Sequence, residues 1–173
     1  MDKADRQVLA RGKHLTFVAR GHWEYVERTQ SIVVCIVAVT DDDKLVLVEQ
    51  FRPPVNKRVI EIPAGLVGDL PGQENEPTVA AARRELIEET GYDAGEMTLL
   101  ATGPPSAGLS SEVVALYRAS ALRKVRPGGG DESEEIQVHE VPLGTTRDWL
   151  NERETRGAII DLKIYAGLHF VDR

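Results

Sequence analysis

The chain has 173 residues, of which 42% are apolar and 28% are charged, and this composition predicts one compact globular body. Its formal net charge of −7 argues against a nucleic-acid surface built from its own basic residues, because such surfaces set Lys and Arg against phosphates. The N-terminus "MDKADRQVLARGK" lacks the apolar run of a secretory signal, and the longest apolar run, residues 32–39, is too short to span a bilayer. We therefore expect a cytoplasmic protein that binds neither membrane nor nucleic acid.

The first part of the chain is predicted to be mainly sheet. The runs "KHLTFVARG" and "HWEYVERTQ" predict a hairpin that turns near Gly21. The runs "SIVVCIVAVT" and "KLVLVEQF", separated by "DDD", predict a second hairpin of better buried strands, in which Cys35 is a small buried hydrophobe. A further short strand, "RVIEIPAG", is expected to end at residues 63–65.

A helix is predicted to start at Pro77. Proline is favoured in the first turn of a helix, the apolar residues Val79, Ala82 and Leu86 follow at helical spacing, and Gly91 stands where a helix would stop. Strands are then predicted at "MTLLATG", "EVVALYRAS" and "IQVHEVP", and helices at "TTRDWLNERE" and "IIDLKIYAGLHF". This order, mostly strands with one helix between them and helices at the end, favours an α/β sandwich over a doubly wound parallel sheet.

Three glutamates crowd one arc of the predicted helix. Glu85, Glu88 and Glu89 are spaced i, i+3, i+4, so a helix places their carboxylates on one face. A solvated face would tolerate the repulsion, which costs a few tenths of a kcal/mol per pair. Alternatively, hard divalent cations neutralise the arc, which would let an acidic protein bind an anionic diphosphate. The spacing alone leaves both interpretations open.

The surrounding residues resemble the Nudix box. That motif reads Gly, five residues, Glu, seven residues, Arg-Glu-apolar, one residue, Glu-Glu, one residue, Gly-apolar, and its second half is complete here in "RELIEETGY". The first half departs from the pattern, because Leu70 stands where glycine is due. Gly65 of "IPAGL" is the expected counterpart of the motif glycine, which implies an insertion of five residues before Glu76.

The resemblance extends to the ADP-ribose and ADP-sugar diphosphatases of the Nudix superfamily, through "VEQFRPP", "EIPAGL", "GLSSE" and "ESEEIQVHEVP". It implies a Nudix-type α/β/α sandwich with a mixed sheet in residues 31–173, preceded by a small antiparallel β region in residues 1–30. It also implies Mg²⁺-dependent hydrolysis between the two phosphates of ADP-ribose or a related ADP-sugar. The products would be AMP and a sugar phosphate.

The resemblance implies a metal site on the glutamate arc. The backbone carbonyl of Ala64, together with Glu85 and Glu89, would bind two or three Mg²⁺ ions, with Mn²⁺ as a possible substitute. Glu88 would be a further ligand, direct or through water. Arg84 would orient the carboxylates by ion pairing.

A general base is also needed, because attack on phosphorus requires a deprotonated water. The loop "RPGGGDESEEIQV" offers Asp131, Glu132, Glu134 and Glu135 after three consecutive glycines, although such a loop is more often simply solvated. Alignment with the family places the base on Glu134. Glu132 and Glu135 are the nearest rivals.

Substrate contacts are expected from residues that the resemblance places around the diphosphate, the sugar and the adenine. Arg52 would face the diphosphate or the terminal ribose, and Trp23 would stack on adenine unless it merely covers the core. The full expected set is Trp23, Glu24, Arg28, Arg52, Leu66 and Glu112. In related dimers the N-terminal strands reach the partner's site, so a homodimer is expected and Trp23 could serve either subunit.

Two other functions remain open. The same chemistry could act on another nucleotide sugar such as GDP-mannose, on a dinucleoside cofactor or on a nucleoside triphosphate. A Nudix fold could also sense a nucleotide sugar without cleaving it. Such sensors usually lose box glutamates, whereas this chain keeps Glu85, Glu88 and Glu89.

Overall fold

The structure, a computed structural model, describes residues 5–130 and 135–171. Its strands and helices, in chain order, are β1 (Arg6–Arg11), β2 (Leu15–Arg20), β3 (Trp23–Arg28), β4 (Ile32–Val39), β5 (Lys44–Arg52), β6 (Lys57–Glu61), β7 (Ala64–Leu66), α1 (Thr78–Thr90), β8 (Tyr92–Gly103), β9 (Val113–Lys124), β10 (Gln137–Pro142), α2 (Thr146–Thr155), β11 (Ile159–Ile160) and α3 (Leu162–Val171). Within these two ranges no helix is long and apolar enough to cross a membrane.

A mixed sheet forms the centre of the molecule. Its strand order is β11-β6-β5-β4-β9-β8, while β10 also pairs with β5 and β7 with β4. β4 runs parallel to β9 and β11 parallel to β6, whereas the other pairs are antiparallel. β4 pairs with β5 only at residues 38–39, and its first half pairs with β7 instead. This arrangement holds the short segment β7 beside the helix α1.

The sheet has helices on both faces. Alternate residues of a strand point to opposite faces, so each strand contributes to two apolar layers. On β5, Val46 packs with Ala82 and Leu86 of α1. Leu47 packs on the other face with a cluster that includes Leu150 of α2 and Leu168 of α3. The predicted α/β/α sandwich is confirmed.

The N-terminal strands β1, β2 and β3 form a separate three-stranded antiparallel sheet. β1 is exposed along its whole length, whereas Val18 of β2 is fully buried. The sheet touches the rest of the chain through Val26, whose N–H donates to the carbonyl of Leu109 at 2.9 Å and whose carbonyl accepts from Ser111 at 3.0 Å. The predicted small antiparallel region is therefore present and is joined to the "GLSSE" segment.

Helix α1 begins and ends close to the predicted positions. Pro77 is its N-cap residue, and Gly91 ends it in the left-handed conformation with φ 75°. A Cβ on Gly91 would lie 2.0 Å from the carbonyl oxygen of Arg126, so both the conformation and the space require glycine. Ala82 and Leu86 are buried as predicted. Val79 is 43% exposed, so its assignment to the apolar face was wrong.

Other element boundaries differ from the prediction. β1 was not predicted, because "RQVLAR" faces solvent and lacks the apolar alternation of a half-buried strand. β8 begins at Tyr92, directly after α1, rather than at Met97. In the last segment Ile159–Ile160 form a strand beside β6, and the helix starts only at Leu162. For β8 and β11, pairing to a strand far along the chain decides the structure, which local patterns do not show.

Candidate active site

Glycine lets the segment β7 approach helix α1 closely. A Cβ on Gly65 would lie 1.9 Å from Cδ of Glu85 and within 2.3 Å of both its carboxylate oxygens. Real Cβ atoms essentially never come within 3.0 Å of another heavy atom, so any side chain here would displace the carboxylate. This contact supports Gly65 as the counterpart of the glycine in the Nudix box.

The three glutamates of the arc differ in burial. Glu85 is 8% exposed and Glu89 is 3% exposed, while the side chain of Glu88 is 39% exposed. A solvated helix face is therefore wrong for two of the three residues. Buried carboxylates need compensating charges or hydrogen bonds, so their surroundings determine what the arc can bind.

Arg84 is the main cation among these carboxylates. Its Nη1 lies 2.7 Å from Glu85 and 3.2 Å from Glu88, and its Nη2 lies 3.1 Å from Glu76 and 3.0 Å from Asp69. The ion pairs expected of Arg84 are thus present, and they hold the two ends of the inserted loop to the helix.

Neighbouring residues complete this arrangement. Leu66 was expected to contact substrate. Its backbone carbonyl accepts a hydrogen bond from Nη2 of Arg84 at 3.1 Å and therefore points towards α1. Arg83 points away from the arc and pairs with Asp93 at 2.6 Å. Glu76 stands at the first glutamate of the Nudix box but was assigned no role, and Asp69 was not singled out, since its only sequence signal was the acidic character of "VGDLPGQENE".

The charges of this cluster shift its ionisation. Burial raises the pKa of Glu85 to about 7, Glu88 and Asp69 reinforce the shift, and Arg84 opposes it. Burial acts against the charged form of Arg84, but the hydrogen bond to Glu76 and the surrounding carboxylates outweigh it and raise the pKa of Arg84. The site therefore favours added positive charge, whether a proton or a cation.

The oxygen-rich donor set fits a hard divalent cation. Oε2 of Glu89 accepts the backbone N–H of Ala64 at 3.1 Å, which ties the "PAG" segment to the helix beside Glu85. Mg²⁺ is usually bound by one or two carboxylates while it keeps several waters. Among the described residues no three acidic, His or Cys side chains converge as a ready-made metal cluster. The donors that the structure places together here are the buried carboxylates of Glu85 and Glu89, beside the backbone of residues 64–65.

Arg52 is fixed at the end of β5 by a buried carboxylate. Its Nε and Nη2 each lie 2.7 Å from an oxygen of Glu61, a two-point contact typical of strong Arg–carboxylate pairs. Glu61 is only 4% exposed. It was not singled out in the sequence, although it directly precedes "IPAG". The pair holds Arg52 in one orientation.

The remaining expected substrate residues lie around the "GLSSE" segment. Trp23 is 53% exposed, and one of its ring carbons lies 3.8 Å from the Cβ that Gly108 would carry. Arg28 lies 3.8 Å from Glu112. Glu24 is exposed on the same strand. The structure thus places Trp23 beside Gly108 and Arg28 beside Glu112, at opposite ends of β3.

The expected general base Glu134, like Asp131 and Glu132, lies outside the described residues. The glycines before it are placed against the end of α1, because Gly129 donates to the carbonyl of Glu89 at 2.8 Å and Gly130 to that of Glu88 at 3.1 Å. Glu135 is 94% exposed and lies 3.7 Å from Arg58. The loop therefore approaches the glutamate arc directly before residue 131.

Comparison with known proteins identifies relatives of this chain. It is 36% identical over 121 residues to a methanol dehydrogenase activator of Bacillus methanolicus, covering 69% of this chain and 63% of that protein. It is 37% identical over 126 residues to an ADP-ribose pyrophosphatase of Bacillus subtilis (strain 168), covering 72% of this chain and 65% of the relative. The matches thus span just under two thirds of these relatives.

The fold also matches a solved structure. A crystal structure of an ADP compounds hydrolase superposes with a TM-score of 0.74 over 97% of this chain and 90% of the other, at 23% sequence identity. The NUDIX domain family matches residues 29–159, which include the arc, the "PAG" segment and Arg52. This chain therefore belongs to the NUDIX domain family.

Proposed function

We propose that the protein hydrolyses the diphosphate bond of ADP-ribose or a related ADP-sugar in a Mg²⁺-dependent reaction, giving AMP and a sugar phosphate. The observation that carries the proposal is the contact between Gly65 and the buried carboxylate of Glu85, with Glu89 bonded to the neighbouring Ala64. The printed names of the Bacillus subtilis relative and of the solved ADP compounds hydrolase support this substrate class.

Each residue of the site has a role in this proposal. Glu85, Glu89 and the carbonyl of Ala64 would hold Mg²⁺, with Mn²⁺ as a substitute and Glu88 at the exposed side. The bound ions would supply positive charge against the diphosphate and favour a deprotonated attacking water. Arg84 keeps the carboxylates in place, because it contacts both Glu85 and Glu88.

The base and the diphosphate contact complete the catalytic roles. Glu134 would take a proton from the attacking water, since the glycines before it are bonded to the end of α1. Arg52, held by Glu61, would donate to the diphosphate or the terminal ribose.

The N-terminal region of residues 1–30 is proposed to contact both substrate and partner. Exposed Trp23 offers a flat apolar face for adenine, with Glu24 and Arg28 on the same strand. Val8 and Phe17 are about two-fifths exposed, so this sheet presents apolar surface that a second copy would cover. We therefore expect a homodimer. The cytoplasmic location is a separate prediction.

The test is hydrolysis by purified protein with Mg²⁺ and a panel of ADP-ribose, ADP-glucose, GDP-mannose and a nucleoside triphosphate. The proposal predicts fastest turnover of an ADP-sugar, with AMP as one product.

Glu89→Gln should remove metal-dependent turnover, because it takes a charged ligand from a buried site. Glu154→Gln, an exposed glutamate of α2, is the matched control and should leave turnover unchanged.

Each result separates the alternatives. Turnover of GDP-mannose with indifference to ADP-sugars would retain the chemistry and refute the proposed substrate. Tight binding of ADP-ribose without turnover would indicate a sensor. Normal activity of Glu89→Gln at saturating Mg²⁺ would refute the metal site.

A further inference from the structure

A basic cavity lies on the face of the sheet opposite to the glutamate arc. It has a volume of about 390 Å³, and its lining includes the cations Lys57, Arg58, Arg153 and Arg156 together with the single carboxylate of Glu49. Four cations at one cavity are notable on a chain whose net charge is −7. Like charges repel at this range, so their convergence favours an anion.

The lining of the cavity faces α2 and α3 at Glu49, although Glu135, which follows the proposed base, lies 3.7 Å from the lining residue Arg58. Leu47 of β5 packs in the apolar cluster of α2 and α3, while Val46 packs in the cluster of α1. Glu49 is two residues after Leu47 and therefore faces α2 and α3. The last turn of α2 and the following residues 156–158 form one wall of the cavity, which is open to solvent.

The carboxylates around the cavity leave part of its positive charge uncompensated. Glu49 is shared, since its oxygens lie 3.0 Å from Nε of Arg58 and 2.9 Å from Nε2 of His139. Glu135 lies 3.7 Å from Nη1 of Arg58 and adds a second negative charge at that arginine. Arg156 pairs with Glu152 of its own helix.

The other two cations, Lys57 and Arg153, differ from Arg58 and Arg156 in their surroundings. In the described ranges no carboxylate contacts Lys57 or Arg153, and Arg153 instead lies over the ring of Trp149 at 4.7 Å. Within the part of the chain that the structure describes, Lys57 and Arg153 are thus the cations open to an incoming ligand.

The end of α2 does not oppose an anion at this position. Carbonyls of a last helical turn carry partial negative charge when they lack partners. Here the carbonyl of Arg153 accepts from Arg156 and Ala158 at 3.1 Å, and that of Glu154 accepts from Gly157 at 2.9 Å. The helix end is therefore satisfied by backbone, and the side chains set the local charge.

We propose that this cavity binds a small phosphorylated molecule through Lys57, Arg153 and Arg156. Arginine forks and lysine ammonium groups are the usual phosphate donors of proteins. The volume lies in the range of roughly 300–1,000 Å³ that is typical of small-molecule sites, so it accommodates an organic group beside the phosphate. A phosphate monoester fits better than free phosphate, and the site does not depend on the proposed enzymatic activity.

Trp149 provides the measurement. The chain has two tryptophans, so Trp23→Phe leaves Trp149 as the single indole, and its fluorescence should change when a ligand draws Arg153 from its ring. Inorganic phosphate and ribose 5-phosphate are titrated separately in metal-free buffer at constant ionic strength. We expect saturable responses, with ribose 5-phosphate the tighter. The reverse order would assign the site to free phosphate.

Charge-removing variants in the Trp23→Phe background decide whether the cavity is responsible. The double substitution Lys57→Gln, Arg156→Gln should raise the ligand concentration at half-saturation by at least about tenfold, because charge-assisted contacts are lost. Arg123→Gln, which removes an exposed cation elsewhere, should leave it unchanged. If the double variant does not fold, Lys57→Gln alone should still weaken binding severalfold, since Lys57 is exposed. A missing saturable response, or equal responses in all variants, would overturn the proposal.

Discussion

Substitution of Gly65 by alanine should disrupt the proposed metal site without unfolding the protein. The new Cβ would lie 1.9 Å from Cδ of Glu85, so the carboxylate must retreat by more than an ångström to reach the 3.0 Å limit of real contacts. Gly65 has no left-handed φ, so alanine adds no backbone strain there. Misplacement of about 1 Å at a reacting centre costs on the order of 100-fold in rate. We expect kcat to fall by about that factor.

The assay is Mg²⁺-dependent hydrolysis of ADP-ribose, measured as a function of Mg²⁺ concentration. The apparent Mg²⁺ affinity should fall together with kcat, while thermal unfolding still shows a cooperative transition. Gly144→Ala is the matched control, because no heavy atom lies within 4 Å of its Cβ position and its φ is not left-handed. Normal activity and Mg²⁺ affinity of Gly65→Ala would refute the idea that glycine is needed to place Glu85.

Three further substitutions test other parts of the site. The folded-state pKa of Glu85, about 7, is above its ordinary value of 4.5, so its stabilising contribution is full below pH 4.5 and is lost as pH rises through 7. In metal-free buffer, Glu85→Gln should therefore reduce the fall of the unfolding free energy between pH 4.5 and 7, by at most about 1.4 kcal/mol per pH unit. An unchanged pH profile would contradict the raised pKa. Glu134→Gln should lower kcat by about 10²–10⁴-fold with little change in substrate affinity, whereas Glu135→Gln should have a small effect on kcat. If steady-state kinetics show the larger loss for Glu135→Gln, the general base is Glu135. Glu61→Gln should raise KM more than it lowers kcat, because Arg52 loses the charged partner that orients it, and a loss confined to kcat would argue against this role.

The sequence predicted the parts of the fold that depend on local patterns. The spacing of Ala82 and Leu86 and the stop at Gly91 were sufficient for α1, and apolar runs separated by turn residues were sufficient for the strands of the two hairpins, although β4 pairs with β5 only at residues 38–39. These features are determined within a few residues by backbone preference and by one buried face. The start of β8 and the strand β11 depend on partners far along the chain, so local patterns missed them.

The residues of the candidate site could be predicted from the sequence only where they belong to a recognisable motif. Helical spacing placed Glu85, Glu88 and Glu89 on one face but could not show that two of them are buried. Burial depends on β7, which reaches α1 through pairing with β4 rather than through its own sequence. Asp69 and Glu61 were missed for the same reason, because each meets its arginine across a gap of nine or more residues.

The charge balance of the arc argues that it is built for cations. Arg84 is one positive charge in contact with four carboxylates, those of Asp69, Glu76, Glu85 and Glu88. A cluster that needed only structural stability would be expected to gain from replacing a buried carboxylate with a neutral or apolar residue. Burial is the main cause of the raised pKa of Glu85, and the charges of Glu88 and Asp69 add to it, so without a cation a proton on Glu85 relieves part of the excess. A divalent cation would do the same while leaving the carboxylates ionised, and it would couple their charge to an anionic substrate. The raised pKa of Glu85 and the proposed affinity for cations thus both reflect buried carboxylates that outnumber the one arginine beside them.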